Sequence, residues 1–146
     1  MMDVPLLTSG IIDHAAAVHG ATEIVARGVD GDLHRYSYGE AIRRCKSFAQ
    51  ALLRLGVEDG DRIGSLAWNT HCHFELFYGV PGSGAVLHTI NPRLHPDQIA
   101  YIADHAEDKW LCVDAATLSL AEQIAPRLPK VQGWIFLGPD AAPPAA

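Results

Sequence analysis

Short apolar runs and amphipathic helical segments alternate along the second half of this chain. The spacing predicts strands over residues 62–68, 86–90, 110–113 and 133–137, with a helix in each interval. A strand, a helix and a further strand in succession normally form a right-handed parallel crossover. We therefore expect an α/β fold with a mainly parallel sheet covered by helices.

A short helix is predicted close to the start of the chain. Ser9 can cap it, the apolar residues of 11–18 recur at helical spacing, and Gly20 follows as a natural stop. This helix would precede the alternating segment.

A β-hairpin and a capped helix are predicted next. Strands over 23–27 and 33–37 flank a turn at 28–32, whose glycines and aspartates tolerate positive φ. Ser37 and Glu40 have the spacing of a capping box, in which each side chain accepts from the other residue's backbone amide. The parallel sheet is thus expected to be preceded by a short helix and a hairpin.

The composition excludes several classes of protein. The 146 residues suit one domain, and 11 Lys plus Arg against 17 Asp plus Glu give a net charge of −6, which argues against a nucleic-acid binder. Three separated cysteines, Cys45, Cys72 and Cys112, form neither a disulfide framework nor a metal motif. No apolar run reaches the length of a membrane span, and the start does not resemble a signal peptide, so we expect a cytoplasmic protein.

Two motifs suggest a ligand site at first, but a structural explanation is simpler for both. The glycine-rich segment 79–84 follows a predicted helix and precedes a strand, so it would present carbonyl groups and is better explained as a helix stop than as a phosphate loop. His71 and His73 lie two residues apart on a helix and point in different directions. We predict one of them packed and the other hydrogen-bonded or exposed, and no metal site.

The acidic residues do not predict a catalytic pair. Asp59, Asp61, Asp104, Glu107 and Asp108 fall between predicted elements and are expected in solvated turns. The other histidines are scattered and receive no predicted chemistry.

The segment 91–93 is more informative. Asn91, Pro92 and Arg93 leave the carboxyl end of a predicted parallel strand, which is the edge at which open α/β sheets bind ligands. A loop held by an asparagine turn is the alternative explanation.

Several segments, taken in order, resemble one enzyme family. They are Tyr-Ser-Tyr at 36–38, Gly-Asp-Arg-Ile-Gly at 60–64, Ala-Trp-Asn-Thr-His at 67–71, Gly-Ala-Val-Leu-His-Thr-Ile-Asn-Pro-Arg-Leu at 84–94, Gln-Ile-Ala-Tyr-Ile at 98–102 and Val-Asp at 113–114. Their order and spacing resemble the N-terminal part of AMP-forming acyl-CoA synthetases, and most narrowly the medium- and long-chain fatty-acid CoA ligases. The resemblance covers nearly the whole chain.

The resemblance implies a two-step reaction. A carboxylate attacks ATP, with Mg²⁺ offsetting phosphate charge, and coenzyme A then displaces AMP from the acyl-adenylate. The family carries this chemistry on a Ser/Thr/Gly-rich loop with a lysine, an aromatic and Thr-Glu segment, a ribose-binding aspartate and a catalytic lysine. None of these motifs occurs in this sequence. We therefore expect no catalytic or ATP-binding residue in the chain, and no activity from it alone.

Several expectations about domains, site residues and substrate follow from this resemblance. Residues 1–137 would form the N-terminal subdomain of the ligase, and the Pro/Ala-rich residues 138–146 a linker or loop. Candidate residues at a pocket rim or subdomain interface are Asn69, His71, Asn91 and Arg93. A fatty acid or related acid would be the substrate, and a homo-oligomer could form through the first helix. A flavodoxin-like binding or regulatory module is the alternative.

Overall fold

The computed structural model describes residues 7–138. In chain order its elements are α1 (Thr8–His19), β1 (Glu23–Arg27), β2 (Leu33–Ser37), α2 (Tyr38–Arg54), β3 (Arg62–Leu66), α3 (His71–Gly82), β4 (Val86–Thr89), α4 (Pro96–Ala106), β5 (Trp110–Val113), α5 (Leu118–Ile124), a 3₁₀ turn (Ala125–Arg127) and β6 (Gly133–Phe136). The expected linker, 138–146, lies outside the described residues apart from Gly138, so that boundary stays a prediction.

The main sheet has four parallel strands in the order β4-β3-β5-β6. The predicted α/β class and parallel sheet are confirmed. The chain runs from β3 outward to β4, then crosses back over β3 to β5 and continues to β6. The direction of strand addition therefore reverses between β3 and β5, which makes this pair the topological switch point of the sheet.

Helices cover both faces of the sheet. On one face Ile63 and Cys112 pack with apolar residues of α2 and α3, including Leu52 and Leu76. On the other face a second core joins the sheet to α4 and α5, and its buried members are Leu66, Ile90, Ile99, Ala100, Ala103, Leu111, Val113, Ala121, Ile124 and Leu128. The helices change face where the strand direction reverses, as right-handed crossovers require.

The N-terminal hairpin forms a separate two-stranded antiparallel sheet. Residue Glu23 pairs with Ser37 and Arg27 with Leu33, and Gly31 in the turn has a φ of +93°. Both strands have the bounds that the sequence predicts. Inward-facing Tyr36 is buried, and the hairpin packs on α2 and α3 rather than on the parallel sheet.

The structure corrects the predicted cap of α1 and shows which side of this helix packs. The residue before its first turn is Leu7, and no side chain caps the helix, so Ser9 is not the cap. Ile12 is buried against α2 and α3, but Ile11 and Val18 are 62% and 60% exposed. The apolar residues are distributed around two sides of the helix, and the sequence does not show which side packs.

The capping residues of the longer helices follow from local sequence. The Ser37 hydroxyl accepts from the Glu40 amide, and the Glu40 carboxylate accepts from the Ser37 amide, so the predicted capping box of α2 is confirmed. Helix α4 is capped by His95, the residue before Pro96, whose ring nitrogen accepts from the Asp97 amide. Pro96 was predicted as the first residue of this helix, whereas the cap by His95 was not predicted.

The glycine-rich segment ends a helix, as predicted. Helix α3 includes Pro81 and ends at Gly82, and Gly84 adopts a φ of +88° two residues before β4 begins. No helix within residues 7–138 is long and apolar enough to cross a membrane.

Candidate functional site

Open clefts surround the carboxyl ends of the parallel strands. One cleft of about 420 Å³ lies between the ends of β3 and β4 and is bordered by Trp68, Asn69, His73, Asn91 and Arg93; we call it the rim cleft. A second, of about 490 Å³, lies between the hairpin turn and the ends of β5 and β6; we call it the hairpin cleft. Their volumes are within the range of small-molecule pockets, and their position is the usual ligand edge of an open α/β sheet.

Three of the four predicted rim residues share the rim cleft. Asn69, Asn91 and Arg93 border it together. His71 borders the hairpin cleft instead. The structure thus places Asn69, Asn91 and Arg93 at the rim cleft. His71 does not border that cleft, but it borders a further cleft together with Asn69.

Arg93 is held in place by its neighbours. Its backbone amide donates to Asn91 Oδ1 at 3.0 Å, which is the expected asparagine turn. Its guanidinium lies 5.2 Å from the centroid of the Trp68 ring, in cation–π geometry. None of the ion pairs among residues 7–138 uses Arg93, so the cation keeps its donors for a ligand. The two explanations of segment 91–93 are therefore compatible, because the turn presents the cation.

A buried carboxylate joins the loops at the switch point. Asp114, at the end of β5, is 2% exposed. Its Oδ2 accepts from the Trp68 amide at 2.7 Å, and its Oδ1 accepts from the Thr117 amide at 3.0 Å. The Thr117 hydroxyl donates to the Leu66 carbonyl at 2.7 Å. These bonds fix the loop after β3 against the loop after β5.

His73 anchors the start of α3 to the sheet. Its Nε2 lies 3.0 Å from Ser65 Oγ, and both residues are buried. Burial lowers the pKa of His73, so the ring is neutral near pH 7. His73 borders the rim cleft, but Ser65 lies within β3 with no exposed surface, so its hydroxyl is not presented to the cleft and the pair serves as an anchor.

His71 packs against the hairpin. Its ring stacks on His34, with centroids 3.6 Å apart and planes 12° apart. Burial, followed by the nearby His34 and Arg44, lowers the pKa of His71 to about 4. One histidine packed and the other hydrogen-bonded is what the sequence predicted for His71 and His73.

Tyr36 closes the same junction between the hairpin and α3. Its ring meets His34 edge-on at 4.8 Å, and burial raises the pKa of its hydroxyl. Close by, Arg44 Nε donates to the buried Glu75 Oε1 at 2.6 Å. The junction thus combines packed rings with one ion pair.

Two of the five acidic residues expected in solvated turns are instead buried. Asp108 is 1% exposed and its Oδ2 lies 2.8 Å from His88 Nδ1, and this bond raises the pKa of His88. Asp61 is also buried and pairs with Lys109 at 2.6 Å. The expectation was wrong because both aspartates sit one or two residues before a strand, where the chain has already entered the sheet.

The donor sets needed for a metal or a nucleotide phosphate are absent from the described part of the chain. Within residues 7–138 no three His, Cys, Asp or Glu side chains are grouped to hold a metal ion. The glycines of α3 lie at its C-terminal end, where carbonyl groups face outward and repel phosphate. Within residues 7–138, Mg²⁺ therefore has no ligand cluster and the ATP phosphates have no glycine-rich loop at a helix N-terminus.

The cysteines are not activated nucleophiles. Burial raises the pKa of Cys112 to about 12 and that of Cys45 to about 11. Burial and the nearby Glu75 also raise the pKa of Cys72. A nucleophilic cysteine requires the opposite shift.

The fold and the clefts define an open α/β unit whose clefts lie at the carboxyl edge of its parallel sheet. Comparison with known proteins gives the family. Residues 12–143 match the family model described as AMP-binding enzyme, and the chain belongs to this family. A flavodoxin-like module is not favoured.

Named relatives agree with this assignment. The chain is 46% identical over 139 residues to a 3-methylmercaptopropionyl-CoA ligase of Ruegeria lacuscaerulensis, covering 95% of this chain and 26% of that protein. It is 43% identical over 141 residues to a long-chain-fatty-acid–CoA ligase of Thermus thermophilus, covering 97% of this chain and 26% of that protein. The chain thus spans about a quarter of the length of these relatives.

Solved structures support the fold. The N-terminal domain of FACL13 from Mycobacterium tuberculosis superposes with a TM-score of 0.80 at 23% identity, over 88% of this chain and 33% of that one. The resemblance to the N-terminal part of adenylate-forming acyl-CoA ligases, stated from the sequence motifs, is confirmed.

Sequence reasoning missed Trp68 and Asp114 as site residues. Trp68 is the last residue of the predicted strand 62–68 and Asp114 follows the predicted strand 110–113 directly, and the carboxyl ends of adjacent parallel strands meet at one edge. An aspartate directly after a fully apolar strand was therefore the available signal. Their pairing depends on β3 and β5 being neighbours, which the linear order of strands does not give.

Proposed function

We propose that this chain is the first α/β subdomain of an AMP-forming acyl-CoA ligase. The complete enzyme would activate a fatty acid or a related carboxylic acid as an acyl-adenylate and transfer the acyl group to coenzyme A. The observation that carries the proposal is the family match over residues 12–143, together with relatives that are named as acyl-CoA ligases.

The chain's own contribution would be a scaffold and one cationic rim. The carboxylic acid, ATP and coenzyme A are all anions, so each would be attracted by the Arg93 guanidinium, which takes part in none of the ion pairs within residues 7–138. Asn69 and Asn91 border the same cleft and offer amide donors. We propose that this rim binds an anionic part of a substrate and that His71 supports the subdomain from the hairpin side.

The reacting groups would come from elsewhere in the enzyme. When bound, ATP supplies the adenylyl group, Mg²⁺ offsets phosphate charge, and coenzyme A supplies the thiol that accepts the acyl group. In residues 7–138 the buried Ser65–His73 pair and the high-pKa cysteines offer no substitute. The adenylating groups are proposed to lie in the parts of the relatives that this chain does not match.

Carboxylate-dependent exchange between pyrophosphate and ATP tests the proposal. The protein expressed from the complete reading frame should catalyse exchange only when an acid is present, and the 146-residue chain should not. The acids compared should include medium- and long-chain fatty acids and 3-methylmercaptopropionate, because the relatives are named for different acids. Exchange by the 146-residue chain, or none by the complete protein with any of these acids, would contradict it.

Arg93 provides the matched variant. Arg93→Ala removes the cation and Arg93→Lys keeps it without planar stacking. If the rim binds substrate, KM for one anionic substrate should rise by about tenfold in Arg93→Ala, the value of one charge-assisted hydrogen bond. Arg43→Ala, at an exposed position of α2, is the control and should leave KM unchanged.

The outward side of α1 is the proposed contact for a homo-oligomer. Leu7, Ile11 and Val18 are exposed there by 60% or more. Sedimentation equilibrium of wild type and Ile11→Gln tests it, and a concentration-independent monomer for wild type would contradict it.

A further inference from the structure

The buried carboxylate at the switch point supplies two hydrogen-bond acceptors that an apolar residue would not. Asp114 is 2% exposed, and both of its oxygens accept hydrogen bonds from backbone amides. Burying a carboxylate costs free energy unless hydrogen bonds offset that cost. The two bonds that do so here hold the Trp68 and Thr117 amides in place.

The shorter of the two bonds joins the Asp114 carboxylate to the backbone amide of Trp68. Its nitrogen is 2.7 Å from Asp114 Oδ2, and its carbonyl accepts from the Thr70 amide at 2.8 Å. Both backbone groups of Trp68 are therefore engaged, which fixes the direction in which its side chain leaves the loop. The indole is 39% exposed and borders the rim cleft.

The indole in turn supports Arg93. The guanidinium carbon is 5.2 Å from the ring centroid, and the Arg93 backbone is held separately by Asn91. A long arginine side chain loses much conformational freedom on binding, and a stacked platform removes part of that loss beforehand.

We propose that Asp114 is a positioning residue that orients the Arg93 guanidinium through the Trp68 loop. The chain of contacts runs from the end of β5, through the loop after β3, to the loop after β4, and so crosses the switch point of the sheet. The proposal rests on the proposed function only where it concerns a substrate. The orientation of Arg93 is a property of this chain itself.

Asp114→Asn is the informative variant. Because the two carboxylate oxygens accept from different amides, an asparagine in either orientation places its NH₂ group against one of the two N–H donors. Size is retained while one bond and the charge are lost. Asp108→Asn is the matched control, because Asp108 is 1% exposed and its partner His88 lies away from the rim.

Nuclear magnetic resonance of the 146-residue chain reads the orientation without any catalytic assay. The Trp68 amide proton should lie downfield in wild type, and the Arg93 side-chain protons should be shifted upfield by the ring current of the indole. Asp114→Asn should move both towards random-coil values, and Asp108→Asn should move neither. If Asp114→Asn does not fold, Trp68→Leu should still release the Arg93 protons, because this side chain is partly exposed.

The same variants in the protein from the complete reading frame test the substrate role. Asp114→Asn should raise KM for the substrate sensitive to Arg93→Ala by about tenfold and leave kcat within about twofold, since a rim contact acts equally on ground and transition states. In a protein that already carries Trp68→Leu, adding Asp114→Asn should not raise this KM any further.

The outcomes separate the two proposals. A wild-type protein without carboxylate-dependent exchange contradicts the proposed function, while the spectra still decide the orientation. Arg93 signals that stay shifted in Asp114→Asn or Trp68→Leu overturn the positioning role, as does a loss of stability in Asp114→Asn with unchanged KM.

Discussion

Gly64→Ala tests how tightly the centre of the sheet is packed. Gly64 lies in β3, which has hydrogen-bonded neighbours on both sides. A Cβ at this position would lie 2.3 Å from Leu111 Cδ2 and 2.7 Å from Asp108 Oδ2. An ordinary contact between carbon atoms is about 3.5–4.0 Å, so a single methyl group must displace two neighbours.

The expected cost follows from these two contacts. Overpacking a core by one methyl group costs about 1–3 kcal/mol. The Asp108 carboxylate can withdraw only by lengthening its 2.8 Å bond to His88, and weakening a charge-assisted bond adds about 1 kcal/mol. The lower entropy of the unfolded alanine chain offsets about 0.5 kcal/mol. We expect a loss of about 3 kcal/mol, equivalent to a Tm lower by about 10 °C in a domain of this size.

Urea unfolding followed by far-ultraviolet circular dichroism measures this loss. Gly10→Ala is the control, because Gly10 lies in α1 and its Cβ would meet nothing within 4 Å. That variant should be as stable as wild type or more stable by up to about 1 kcal/mol. A Gly64→Ala protein within about 0.5 kcal/mol of wild type would refute the packing argument, since the cost of overpacking is at least about 1 kcal/mol.

Three further predictions concern single side chains. The hydrogen bond to Asp108 raises the pKa of His88 above its ordinary 6.5. The stability that His88 adds relative to His88→Gln should therefore be complete below pH 6.5 and disappear as the pH rises through the folded-state pKa. The urea midpoints of both proteins at pH 6 and pH 8.5 measure this difference. Ser37→Ala should cost about 1 kcal/mol in the same unfolding assay through loss of the α2 cap, and an unchanged midpoint would contradict the cap. The ring of His71 should stay neutral down to about pH 4, and stability should fall between pH 6.5 and pH 4 as the unfolded state takes up that proton; ring proton shifts that titrate near pH 6.5 would disprove the burial of this histidine.

Local sequence was enough to predict most elements of the fold. The hairpin, the capping box at Ser37, the start of α4 at Pro96 and the strand at β5 all depend on neighbours within a few residues. Errors occurred where the answer depended on distant residues. The side of α1 that packs is decided by α2 and α3, so the sequence around Ile11 could not reveal that Ile11 is exposed.

The candidate site was predicted only in part for the same reason. Asn91 and Arg93 were found because they follow a strand at the ligand edge. Trp68 lies under Arg93 because β3 and β4 are neighbours, and Asp114 bonds to it because β5 inserts on the other side of β3. Strand order is a property of the assembled sheet, and no periodicity in the chain encodes it.

The strand order also has a consequence during synthesis on the ribosome. The β3–α3–β4 unit is complete once residue 89 has emerged, yet Leu66 on its opposite face finds its partners only in α4, α5 and the segment up to Leu128. For about forty residues of elongation, two to eight seconds at ordinary rates of roughly 5–20 residues per second, a nascent chain carries an uncovered apolar surface. That interval is when this unit is open to chaperones and to aggregation, and slowing translation after residue 89 should lengthen it.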